Sequence, residues 1–229
     1  MTGTEAGRRA LGVRDFLASR YHAILGLTVG QLVFVEVVAS PILVDGGDLV
    51  ITAAVAWTLG QITGRRSDFW FLLIIGWTAP VLDMVAPWEA APVAINAVKT
   101  ALWLLFPAFL AQRLFVTIYD ADAITHEEIS GAISVYLLIG LVFANLYELL
   151  AIIEPTAIQW GPNFGDGVRT FADYVYFSFV TMAGVGYGDV APASQLVRAA
   201  VVAQAITGLM YIAILIARFV GEQKRTDVI

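Results

Sequence analysis

"TMAGVGYGDV", residues 181–190, decides how the rest of the chain is read. Glycines stand at 184, 186 and 188, with Val185 and Tyr187 between them and Asp189 after them. The run before it, "FADYVYFSFVTMAG" (171–184), is apolar but only fourteen residues long. That is too short to cross a bilayer and suits a re-entrant helix. Thr170 followed by Asp173 matches a capping box, with a carboxylate in the first turn. Gly184 is a natural helix terminator. Beyond it the chain must run back as extended backbone.

The setting is a membrane. The 229 residues are 59% hydrophobic and 14% charged, where about a quarter of an ordinary soluble domain is charged. The apolar residues form blocks that give six spans: 23–44, 49–64, 69–87 (interrupted by Pro80 and Asp83), 91–116, 131–153 and 196–220. The absence of cysteine excludes disulfides, thiolate metal sites and cysteine nucleophiles. His22 and His126 are far apart and build no catalytic cluster. The net charge of −6 argues against nucleic acid as a partner.

Charge sets the expected orientation. Arg8, Arg9, Arg14, Arg20, Arg65, Arg66, Arg113, Arg218, Lys224 and Arg225 fall on one side of six alternating spans, and Lys99, Arg169 and Arg198 toward the other. Both termini are therefore expected in the cytoplasm. Asp45, Asp48, Glu89, Glu154, Asp166 and Asp173 map to an acidic outer side. Residues 1–22 read as a cytoplasmic amphipathic segment or a frayed tail, not as a cleavable signal. Lys99 is expected to snorkel to the outer surface, with Asp83 as a partner, and Arg113 to reach the cytoplasmic headgroups.

At membrane depth, unpaired carbonyls are tolerated only inside protein or along a wet pathway. A strand that turns successive carbonyls to one side must visit left-handed angles, which Gly186 and Gly188 allow without steric cost. A row of such oxygens replaces the hydration shell of a cation. One strand cannot surround an ion, so several copies around an axis are required.

These residues resemble the pore of the potassium-channel family, whose filter usually reads Thr-Val-Gly-Tyr-Gly-Asp. Val185, Gly186, Tyr187, Gly188 and Asp189 match that pattern. The resemblance covers about residues 130–221, and "YFSFVTMAGVGYGDVAP" (176–192) is similar to the pore segment of small prokaryotic channels. It implies an all-α membrane protein: a four-helix transmembrane unit (23–118) without sensor charges, then a pore domain (119–229). The latter comprises an outer helix (130–153), a pore helix (170–183), a filter (184–189) and an inner helix (195–220). It also implies a homotetramer in the prokaryotic plasma membrane, with no enzymatic activity and no cofactor beyond K+ as the permeant ion. Ion sites would fall at Gly184, Val185, Gly186, Tyr187 and Gly188. Thr181, Asp189, Tyr176, Phe177 and Glu148 would support the filter. Gly208 stands where the inner-helix hinge glycine falls, twenty residues past Gly188. Thr207 and Tyr211 would line a cavity, and Ile212 with Ile216 a hydrophobic gate.

Two departures qualify the resemblance. Gly184 replaces the usual threonine, so the innermost ion site loses a hydroxyl from each chain. A weakly selective monovalent-cation channel, passing Na+ as well as K+, is the alternative this raises. Tyr176 and Phe177 replace a common tryptophan pair, and Phe177 has no donor for Asp189. Asp189 is then held by Tyr176, Thr181 or water.

The fourth span offers only Lys99 and Arg113, fourteen residues apart. A charge crossing the field contributes about 2.3 kcal/mol per 100 mV, so steep voltage gating needs several more. Glu36 and Asp83 are the other ionisable groups near the first four spans and read as structural partners or as sensing groups. After the sixth span only "GEQKRTDVI" (221–229) follows, and gating is therefore expected to reside in the membrane part or to depend on another protein.

Overall fold

The computed structural model describes residues 20–37, 41–88, 91–119, 126–165 and 167–226. The N-terminal segment 1–19 and the side chains of Glu36 and Asp83 lie outside the described residues. The elements are α1 (Arg20–Val37), α2 (Pro41–Thr63), α3 (Arg66–Val85), α4 (Val93–Tyr119), α5 (His126–Ile153), β1 (Ile158–Trp160), a 3-10 turn (Pro162–Phe164), α6 (Phe171–Met182), β2 (Val190–Pro192) and α7 (Gln195–Thr226). Among the described residues, three helical stretches are long and apolar enough to cross a membrane by themselves: Val93–Tyr119, Glu128–Ile153 and Gln195–Phe219. The apolar part of α2, Leu49–Thr63, is shorter.

Two boundaries differ from the sequence reading. Pro41 opens α2, so Asp45-Gly-Gly-Asp48 is helical and not a loop between spans. Proline at the first helical position is favoured because its missing N–H has no intrahelical acceptor there. Pro80 does not interrupt the third helix, which continues to Val85. Prolines in apolar helices are tolerated where neighbouring groups take up the freed carbonyl.

α5 is the hub. It packs along α4 over much of its length and also receives α1, α6 and α7, while α2 pairs with α3. One continuous buried core runs from Ile24, Leu59 and Leu72 through Leu110 and Leu114 to Tyr147, Phe177 and Val197. α7 contributes little to it. Its buried or half-buried positions are 197, 200, 201, 204, 205, 208, 211, 215, 218 and 219, which recur every three to four residues along one side of the helix. Much of the remaining described surface of α7 is exposed and apolar, including Val202, Ile206, Leu209, Ile214 and Ile216.

Asp68 of α3 and Lys99 of α4 are buried. Arg113, a third exposed, pairs with Asp68 (Nη2–Oδ1 3.2 Å) and lies over the Phe109 ring at 4.9 Å. Lys99 is buried and donates to the Ala86 carbonyl, so it does not snorkel. In both cases an acceptor on the neighbouring segment replaces water, the cheaper arrangement where the rest of the helix face is packed.

Candidate functional site

α6 is built as its ends dictate. The Asp173 carboxylate accepts from the Thr170 N–H at 2.7 Å and from the Thr170 hydroxyl at 3.1 Å, closing the first turn. At the other end the Gly184 N–H donates to the Thr181 carbonyl (3.1 Å) and the Val185 N–H to the Val180 carbonyl (3.0 Å). This pair of bonds, with Gly184 at φ +68, is a Schellman termination. The glycine that departs from the threonine pattern is the residue that ends the helix.

From there the backbone alternates. Gly184, Gly186 and Gly188 have φ of +68, +54 and +81, while Val185 and Tyr187 between them do not enter the left-handed region. Sequence reasoning assigned that geometry to Gly186 and Gly188 only. Residues 183–188 are all exposed, and Cβ atoms built on these three glycines meet nothing within 4 Å. The segment presents open backbone to whatever lies outside this chain.

Its far end is anchored twice. The Tyr176 hydroxyl donates to Asp189 Oδ2 at 2.6 Å, and the Gly161 N–H donates to the Asp189 carbonyl at 2.6 Å. β1 and β2 pair antiparallel, Ile158 with Pro192 and Trp160 with Val190, tying the connection before α6 to the segment after Asp189. Neither Gly161 nor this ribbon was foreseen. A Cβ at Gly161 would sit 2.7 Å from the Asp189 carbonyl oxygen, so glycine is required there. The hydrogen bond to Asp189 raises the Tyr176 phenol from 10.0 to about 12, with burial and the negative charge of Asp189 adding to it.

A second polar cluster also escaped the sequence. Tyr147 donates to Gln204 Oε1 at 2.6 Å. Gln204 Nε2 donates to the Ser178 hydroxyl (2.7 Å) and to the Ser178 carbonyl (3.1 Å). Ser178 Oγ in turn donates to the Gly140 carbonyl at 2.6 Å. Tyr147, Ser178 and Gln204 each have 0% exposure, so α5, α6 and α7 meet through a dry, fully paired network. The one available signal was Gln204 itself, an amide within an otherwise apolar run.

The remaining expected residues divide. Phe177 is buried against Tyr147, with ring centroids 4.7 Å apart. Thr181 contributes its carbonyl to the Schellman turn. Glu148 lines a cavity of about 380 Å³ with Trp88, Trp160, Arg169 and Tyr174. Gly208 packs against the end of α6: a Cβ there would lie 2.7 Å from Met182 Cγ and 3.0 Å from the Met182 carbonyl oxygen. Tyr211 is half-buried, and its hydroxyl donates to the Ala132 carbonyl of α5 at 2.7 Å. It lies one helical turn beyond Thr207, at the edge of the side that packs on α5. Thr207 is exposed but donates to the Ala203 carbonyl of its own helix. Ile212 and Ile216 are exposed as well. Thr207 and Ile216 are nine residues apart, about 180° around a helix, so the two cannot line the same face.

Residues 131–222 match an ion-channel family model. The matched stretch holds nearly all of α5, then α6, the glycine segment and most of α7, while residues 1–130 lie outside it. No curated protein and no solved structure gives a significant match to the chain. The family match and the long apolar helices support an integral membrane protein with a passive ion-channel domain.

Proposed function

We propose that this chain forms a potassium-selective channel, a homotetramer whose central pore is lined by backbone carbonyls of residues 184–188. The observation that carries the reading is the alternation of left-handed glycines at 184, 186 and 188 in a stretch left exposed by the described residues of its own chain. Alternation of this kind turns successive carbonyls toward one side, and four copies around an axis would enclose dehydrated cations. The unpartnered apolar surface of α7 suits a helix that meets neighbouring copies and lipid. α6 would be the re-entrant pore helix, with its carboxyl end toward the membrane centre, where the helix dipole favours a cation. α1 to α3 would complete six spans with α4, α5 and α7, both termini lying in the cytoplasm of a prokaryotic cell.

A weakly selective monovalent-cation channel is the second reading. Gly184 favours it, because the residue that closes α6 brings no hydroxyl to the innermost site and leaves the backbone there unshielded. Flux from potassium-loaded liposomes containing the purified protein separates the two. Barium-sensitive K+ efflux that far exceeds Na+ flux supports the first, equal fluxes the second, and no flux removes both.

A further inference from the structure

We propose that Gln204 is a positioning residue for ion selectivity, clamping the inner helix to the pore helix from behind so that the filter backbone starts at a fixed place. The inference rests on the reading of residues 184–188 as a filter. Gln204 bonds to Ser178 with both its amide hydrogens directed at α6, and its oxygen is filled by Tyr147 from α5. One helical turn further along each helix, Gly208 touches Met182. The pairs 204/208 and 178/182 therefore bring two helices into register over a turn. Met182 is the last residue of α6, and two residues later Gly184 begins the glycine segment. The amides of Gly184 and Val185 are bonded to carbonyls in that same last turn. A displacement of α6 relative to α7 is thus passed directly to the first carbonyls of the segment. With all three side chains at 0% exposure, water cannot replace a lost partner.

The test uses full-length protein in planar bilayers and reads the Na+/K+ permeability ratio from bi-ionic reversal potentials. The double variant Tyr147→Phe/Gln204→Met keeps the shape of the cluster and removes both ends of the central bond, which is far gentler than orphaning one partner. Its expected ratio rises at least about threefold toward unity, while its assembly state on size exclusion stays that of the unaltered protein. A purely structural cluster would leave the ratio of assembled channels unchanged, and that outcome overturns the inference. Ser178→Ala, which deletes a single oxygen, decides the matter if the double variant does not assemble: a smaller rise supports the inference and an unaltered ratio overturns it. A ratio already near unity in the unaltered protein would instead defeat the reading of a selective filter, and this inference with it.

Discussion

The Tyr176 hydroxyl meets Asp189 Oδ2 at 2.6 Å, joining the middle of α6 to the far end of the glycine segment thirteen residues on. Of the Tyr176–Phe177 pair, Tyr176 is the residue with a donor, and it supplies that donor to Asp189. Replacing Tyr176 with Phe should lower the melting temperature of the assembled protein and shorten the time for which it conducts. The bond requires a protonated phenol. The phenol is raised in the fold from 10.0 to about 12, so its contribution is complete below pH 10 and lost as the pH climbs toward 12. Melting temperatures of the unaltered protein and of Y176F should therefore converge between pH 10 and pH 12. A constant gap across that window would show that the hydrogen bond is not what separates them.

Gly184 sits at φ +68, and a methyl group added to its Cα would meet nothing within 4 Å. Space is not the obstacle to a larger residue there, but backbone strain is. Gly184→Ala should destabilise by about 1–2 kcal/mol per chain. Gly184→Thr should cost at least as much, since a β-branched residue tolerates the left-handed region poorly. If the missing hydroxyl limits selectivity, G184T channels that do assemble will favour K+ more strongly than the parent. Equal permeability ratios in the two would discard the hydroxyl as the cause.

At Gly208 the obstacle is space. The added methyl of Gly208→Ala would meet the Met182 carbonyl oxygen at 3.0 Å and Met182 Cγ at 2.7 Å. The methionine side chain can turn away, whereas the carbonyl belongs to the last turn of α6. A loss of about 1–3 kcal/mol is expected, the usual range for overpacking. Thermal melting measures it, and an unaffected melting temperature would show that α7 does not press on α6 at this point.

Asp68 is 2% exposed and its Oδ2 has no hydrogen-bond partner among the described residues, so the Asp68–Arg113 pair carries the charge balance of the described part of that region. Arg113→Gln should cost about 3 kcal/mol, near the low end for breaking a buried pair because the arginine is partly exposed. The double change Asp68→Asn/Arg113→Gln should regain most of the loss. Should the double variant melt no higher than R113Q, the pair is not the source of the effect.

What the sequence made legible was local. The Thr170–Asp173 box and the terminating Gly184 could be read because cap chemistry depends on neighbours three or four residues apart. The left-handed angles of Gly186 and Gly188 followed from the spacing of glycines. What escaped depends on partners far along the chain. Tyr147, Ser178 and Gln204 are each ordinary polar residues in apolar runs, and only the packing of α5, α6 and α7 brings them together. The Gly161–Asp189 contact is likewise a product of the β1–β2 pairing. The bond from Tyr211 to the Ala132 carbonyl of α5, seventy-nine residues away in the chain, is equally beyond local pattern. The positions of Lys99 and Arg113 near the ends of a span point to the surface, whereas their partners in the fold, the Ala86 carbonyl and Asp68, lie far along the chain.

The role proposed for residues 184–188 as a potassium filter can be measured as the reversal potential of the purified protein in a planar bilayer with K+ on one side and Na+ on the other. A potassium filter gives a reversal potential displaced far toward that of a K+ electrode. A reversal potential near zero, with robust current carried in both directions, would contradict that role.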